Sequence, residues 1–172
     1  MLGKKIYIRR RGSDARPVGC EMVRQIRIEF EKGGVFLATL MEDAAPRACK
    51  QIWDTLPIKS RAGQAARSGQ VLNCLAPFEF RILENPKLVL PQGGLAVDGI
   101  LYRSLFRDEG QPIVKAEIVI AYGVDNMSYG FSGLVNPISY FAQIKDGLDE
   151  LYKIGLRSRE HGREGITFSK VD

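Results

Sequence analysis

From Gln25 to Glu31 the chain alternates without a break: Ile26, Ile28 and Phe30 fall on one face, Arg27, Glu29 and Glu31 on the other. A period of two with a single apolar side predicts a half-buried β-strand. Lys32-Gly33-Gly34-Val35 follows, and a Gly-Gly pair supplies the positive φ angles of a two-residue hairpin turn. Val35 to Leu40 is then the return strand, apolar enough to expect burial on both sides. In "EDAAPRACKQIWDTLP", residues 42–57, the period becomes helical. Pro46 has no amide hydrogen and suits the first helical turn. Glu42 and Asp43, just before it, suit the positive end of the helix dipole. Cys49, Ile52, Trp53 and Leu56 form one apolar stripe, with Arg47, Lys50, Gln51 and Asp54 opposite, and Pro57 ends the helix. Joined to the hairpin almost without a loop, this helix is expected to close one mouth of a rolled sheet, with Trp53 as the plug.

Beyond Ile58 the signal is short apolar runs between turn residues. Val71–Leu75, Phe78–Leu83, Gly99–Ser104 and Ile113–Tyr122 read as strands. Glu84-Asn85-Pro86, Pro91-Gln92-Gly93-Gly94 and Asp108-Glu109-Gly110 are the breaks between them. Their count and spacing suit an all-β core. Gly123 to Gly133 reads as a long loop, and Phe141 to Lys145 as a short strand. Asp146 is placed to cap a second helix through Leu148, Leu151 and Ile154, with Gly155 as its stop. Ile166 to Ser169 is the last strand. There is no internal repeat and no sign of a second domain.

Composition changes this picture little, but charge does. The 172 residues carry a formal charge of +5. Residues 1–21 hold Lys4, Lys5, Arg9, Arg10, Arg11 and Arg16 against Asp14 and Glu21, a net of +4. The expected organisation is therefore a flexible basic arm over 1–21, with Met22 an alternative start, and one folded domain over 22–172. A nucleic-acid domain carries its cations on the folded face, so nucleic acid is not an expected partner. No apolar run approaches the ~18 residues of a membrane span. Cys20, Cys49 and Cys74 are odd in number and lack a CxxC spacing, which suits a reducing cytoplasm and neither a disulfide framework nor a zinc site.

Two stretches carry a family likeness. "APRACKQIWDTL" resembles the cyclophilin segment in which Ala-Pro opens a helix bearing an aromatic, and "FAQIKDGLDELYKIG" resembles the late cyclophilin strand-turn-helix. The resemblance covers about residues 25–170. It is closer still to small bacterial cyclophilin-like proteins of unassigned function, which have look-alikes of "ATLMEDAAPRAC", "ENPK" and "FAQIKDGLDEL". It implies a mainly β fold: a closed cyclophilin-like barrel of about eight strands capped by two α-helices. A binding cleft on the outer face is implied with it.

The resemblance also implies what prolyl isomerisation needs, and the residues depart from it. Cyclophilins place an arginine in a Phe-His-Arg stretch soon followed by Gln-Gly-Gly-Asp. Here "QAARSGQVLNCL" offers Arg67 without Phe-His, and "QGG" at Gln92–Gly94 lies 25 residues further on without the Asp. Counting back from Phe141, the cleft-lining tryptophan and histidine fall at Gly133 and Ile138, and only Leu134 keeps an apolar type. Arg67 is thus the one catalytic candidate, for a weak peptidyl-prolyl isomerase. The leading expectation is binding without catalysis of a small anionic metabolite or short peptide. Arg67 and Arg103 would hold a carboxylate, with Glu84, Tyr102, Tyr122, Phe131, Leu134 and Tyr140 completing the cleft. A third class is a partner-docking protein using loop 123–133 and the basic arm, and homodimerisation is left open. No cofactor is expected and no metal: His161 is the single histidine, in the polar "REHGREG". "GFSG" around Ser132 lacks the flank and the histidine of a nucleophile elbow, and Cys49 on the buried stripe is expected to be inert.

Overall fold

The alternating segment folds as β1 (Gln25–Phe30) and its return as β2 (Val35–Leu40). Gly33 and Gly34 between them adopt φ of 96° and 110°, a region open to glycine without steric cost. The computed structural model describes residues 23–99, 107–108, 111–112, 116–129 and 134–171. The basic arm therefore lies outside the described residues, as do most of the strand expected at 99–104 and the start of that at 113–122. After α1 (Pro46–Thr55) come β3 (Ile58–Gln64), β4 (Gly69–Leu75), the two-residue β5 (Pro86–Lys87) and β6 (Gly94–Asp98). A separate two-strand ladder joins β7 (Arg107–Asp108) to β8 (Gln111–Pro112). The chain continues through β9 (Glu117–Asn126), β10 (Ile138–Ile144), α2 (Leu148–His161) and β11 (Glu164–Lys170).

Eight strands close into an antiparallel barrel in the order β2-β1-β11-β3-β4-β9-β6-β10, sealed by β10 pairing with β2. β5 adds to β10 outside that ring. Inward residues of the strands and the apolar stripes of both helices form one interior cluster, in which Ile26, Ile28, Ile52, Leu151, Ile154 and Phe168 are fully buried. Among the described residues no helix is long and apolar enough to cross a membrane.

Several expectations need correction. Trp53 is not the plug of α1. Ala48, Cys49 and Ile52 are its buried residues, while Trp53 is half-buried at the rim. Arg24 and Lys170 lie 4.7 and 5.0 Å from the centre of its ring, an attraction of a cation for the negative π face. Glu42 does not serve the helix N-terminus but pairs with Arg24. Phe78–Leu83 is irregular rather than a strand, held by bonds from Gln51 Nε2 to the Glu79 carbonyl and from Ser139 Oγ to the Ile82 carbonyl. Gly94 opens β6 instead of breaking the chain, and β3 was not expected at all. The long loop expected from Gly123 is shorter: β9 runs to Asn126, and Tyr129 bridges back to Val135.

At α2, Gly147 and not Asp146 is the N-cap, and Gly155 does not stop the helix, which runs on to His161. The aromatic ring of Tyr122 in β9 occupies the space a side chain at Gly155 would need. A glycine inside a helix can mark close packing as well as an end. Arg157 lower on α2 makes a fork onto the buried carboxylate of Glu164, through Nε at 3.0 Å and Nη2 at 2.9 Å. It also donates to the Lys32 and Gly33 carbonyls, tying helix, hairpin turn and last strand together.

Candidate functional site

A strand with one face in water alternates buried and exposed residues, yet β9 is buried continuously from Glu117 to Gly123. Its inward residues, Ile118, Ile120 and Tyr122, belong to the barrel core. Its outward ones, Val119 and Ala121, join a second cluster with Val71 of β4, Ala96 of β6, and Ile138 and Tyr140 of β10. This apolar shelf on the outside of the barrel is partly roofed by the segment through Leu90. Asn126 holds that roof: its Nδ2 donates to the Leu90 and Gly123 carbonyls and its Oδ1 accepts from the Leu90 amide, each at 2.9 Å.

Two small clefts open at this shelf and meet at one residue. The first is about 240 Å³, open mouth included, walled by Val71, Leu88, Leu90, Val119 and Ile138, with Ser68 and Ser128 as polar contributors. The second is about 270 Å³, walled by Phe80, Ile82, Val97, Pro137 and Ile138, with Asp98, Arg81 and Ser139 as its polar residues. Both figures include open solvent, and the enclosed space is far smaller than the ~300–1,000 Å³ of a drug-sized pocket. Ile138 is shared by both.

A polar row crosses the outer face beside the clefts. Asp98 and Glu117 are Cα partners on β6 and β9, only 5% and 8% exposed. Asn136 donates to Asp98 Oδ2 at 3.1 Å, and the Asn73 amide donates to Glu117. Arg163 in turn donates to Asn73 Oδ1 at 3.2 Å and to the Arg61 carbonyl at 3.1 Å. It reaches Asn73 by lying over Gly63, where any Cβ would collide with its side chain. Burial pushes the Glu117 carboxyl up to about 7; the Asn73 hydrogen bond pulls it down, the neighbouring Asp98 charge pushes it up and Arg163 opposes. Two carboxyls this close in a dry setting resist ionising together. The outer face thus offers apolar clefts next to an acid that is half-protonated near neutrality.

The residues expected at the site are dispersed. Arg67 is exposed on the turn between β3 and β4, next to Ser68 of the first cleft. Glu84 accepts from the amides of Arg47 and Ala48 at 2.9 and 3.0 Å and from Arg47 Nε at 2.7 Å. It supplies the negative charge at the N-terminus of α1 that had been expected from Glu42 and Asp43. Tyr122 has to be withdrawn from the cleft. It is fully buried inside the barrel, its hydroxyl donating to Gln64 Oε1 at 2.7 Å. Tyr140 lies in the outer cluster, while Leu134 is 72% exposed. Tyr102, Arg103 and Phe131 lie outside the described residues, as do Gly133 and Ser132.

Gln92-Gly93 forms a turn. Gly93 has φ of 79°, and Gln92 Nε2 donates to the Tyr122 carbonyl at 3.1 Å. Cys49 Sγ faces the Phe141 carbonyl at 3.3 Å, and burial pushes its thiol up to about 11. His161 is exposed at the end of α2. Among the described residues no three His, Cys, Asp or Glu side chains come together to hold a metal ion.

Asp98, Glu117, Asn73 and Arg163 did not figure in the expectations. "GLAVD" and "AEIVIAY" each set a carboxylate beside an apolar run, and that juxtaposition is the signal that was there to use. Ile138 was singled out only as a departure from the cyclophilin cleft.

The chain belongs to the DUF3830 family, described as a protein of unknown function, whose model matches residues 28–170. Among solved structures it is similar to McbB in complex with tryptophan, with a TM-score of 0.61 and 16% identity, covering 84% of this chain and 44% of that one. The chain thus spans less than half the length of McbB. It is also similar to the solution structure of the hypothetical protein AF2241 from Archaeoglobus fulgidus, with a TM-score of 0.54 and 20% identity, covering 87% of this chain and 95% of that one. At such identities both likenesses bear on the fold alone. No curated protein matches the chain.

Proposed function

We propose that this DUF3830 protein binds a short peptide or an elongated small molecule across its outer face, one apolar group entering each cleft on either side of Ile138. The observation that carries this reading is the meeting of the two clefts at Ile138, beside the apolar outer cluster. Apolar walls with a few convergent polar groups are the usual chemistry of a ligand site. The cyclophilin-like order of elements supports an outer-face site. McbB, which is described in complex with tryptophan, supports this fold as a carrier of ligands of that size. The buried, unpaired thiols of Cys49 and Cys74 suit the cytoplasm as the place of action.

A thermal-shift screen of short peptides and metabolites tests the reading, because a ligand selective for the native state raises the melting temperature. Ile138→Trp fills both clefts from their common wall and is expected to abolish the shift while the protein stays folded. A hit that Ile138→Trp leaves unchanged would move the site elsewhere. Prolyl isomerisation through Arg67 is the second reading, resting on its place beside the first cleft. Protease-coupled assays of the wild type and Arg67→Ala at equal, uncatalysed rates would remove it.

A further inference from the structure

Resting on that reading for where the ligand sits, we propose that two copies of this chain associate through the face that carries the clefts, each copy closing over the shallow clefts of the other. Six large apolar side chains gather on this face: Leu83, Leu88, Val89, Tyr129, Leu134 and Val135, each 36% to 72% exposed. The fold brings them together from three segments around Ile138. Leu83 lines the second cleft and Leu88 the first, and Ile138 lines both. The Ser128 amide donates to the Leu88 carbonyl at 2.7 Å, and Tyr129 bridges to Val135.

Apolar residues exposed singly are ordinary, whereas a contiguous patch marks a contact surface. The described residues expose thirteen large apolar side chains, and nearly half of them are in this one place. At about half exposure, six such side chains present on the order of 400 Å² of apolar surface. A standard interface takes ~800 Å² from each partner, about 65% of it apolar in homodimers, or ~500 Å². The patch supplies most of that, and the open walls of the clefts add to it.

Charge selects the occupant. Among the described residues Arg67, Arg81 and Lys87 border the patch against Glu79, Asp98 and Asp125, so the face has no net sign. A strongly acidic or basic partner meets no complement there, while two copies meet without repulsion. The chain's +5, less the +4 of residues 1–21, leaves only +1 for residues 22–172. Little net charge leaves a protein free to self-associate.

Strand pairing is not the mode of contact. β5, at the end of the sheet order, is two residues long and begins with Pro86, which has no amide hydrogen to donate. The contact is side chain to side chain, with the same patch on both copies about a two-fold axis. It also gives the clefts what one copy lacks. A pocket commonly buries ~70–90% of a ligand's surface, and clefts this open reach that only when a facing surface covers them.

Sedimentation equilibrium of the full chain, without ligand, is expected to show a dimer with a dissociation constant in the micromolar range, the weak end for an interface of standard size. Val89→Lys and Val135→Lys put a charge into the patch at residues that line neither cleft. Both positions are exposed, so both variants should fold as the wild type does. Each is expected to weaken the dimer about tenfold or more, and to reduce the thermal shift that the hits of the screen produce.

A chain that stays monomeric at every concentration, its patch left to a peptide or to its own residues 1–22, would overturn the proposal and leave the cleft reading to its own screen. A dimer that both variants leave as tight as the wild type would place the interface on another face and overturn it too. Hits that bind the monomeric variants as they bind the wild type would show that one copy suffices for the ligand, and would overturn the closing of the clefts. If nothing in the screen shifts a wild type that does dimerise through this patch, the cleft reading fails and the interface stands.

Discussion

The ring of Tyr122 in β9 lies against the backbone of Gly155 in α2, where a Cβ would collide with it. Tyr122 cannot yield easily, because it is fully buried and its hydroxyl is bonded to Gln64. Gly155→Ala raises helix propensity by about 1 kcal/mol, yet overpacking a filled core costs roughly 1–3 kcal/mol. The expected net effect is destabilisation, read as a lower midpoint in urea with an unchanged slope. Combined with Tyr122→Leu, the alanine should cost less than it does alone. An additive double mutant would mean that the ring is not what excludes a side chain there.

Glu84 joins the irregular 78–85 segment to the start of α1. Burial pushes its carboxyl up, but the hydrogen bonds from Arg47 and Ala48 outweigh that and hold it below its ordinary value. A carboxylate lowered in the fold contributes stability above its unfolded pKa, and that stability is lost as pH falls through the folded value. Glu84→Gln is expected to cost about 1 kcal/mol at neutral pH, within the range of helix caps. The gap to wild type should narrow in acid, below about pH 4.5. Denaturant melts of both proteins across that range check the sign.

Glu117 has the opposite sign. Its carboxyl is raised by burial to about 7 in the fold, so the native state binds its proton more tightly than the unfolded chain does. This contribution is intact below the unfolded value near pH 4.5 and is lost as pH rises through about 7. Glu117→Gln, which cannot ionise, should therefore gain on the wild type as pH rises over that window, by roughly 3 kcal/mol at most. A wild type and variant whose stabilities run parallel from pH 4.5 to 8 would show that Glu117 does not titrate as described.

The opening of the fold was legible because β1 carries a clean period of two and α1 a clean stripe, and one buried face is all that such patterns require. The parts that were missed have burial of a different kind. β6 is buried on both sides from Gly94 to Asp98, so it shows no alternation, and its leading glycines read as a break. β3 presents Lys59, Ser60 and Arg61 and looks too polar for a barrel strand, although Ile58 and Ala62 are fully inside. "FEFRIL" alternates like a strand but is held by side-chain bonds from Gln51 and Ser139, which no local pattern encodes. The candidate site was less legible still. Asp98 and Glu117 are 19 positions apart in the chain and become neighbours only through the pairing of β6 with β9. Ile138 could be located by counting, but its meaning depends on the clefts to either side.

The outer-face site is tested most directly by methyl NMR of isoleucine-labelled protein titrated with the strongest hit of the thermal-shift screen. The account predicts that the Ile138 methyl resonance moves in a saturable way, while those of Ile26 and Ile154, enclosed in the barrel, stay in place. A bound ligand that shifts other isoleucines and leaves Ile138 unmoved would contradict it.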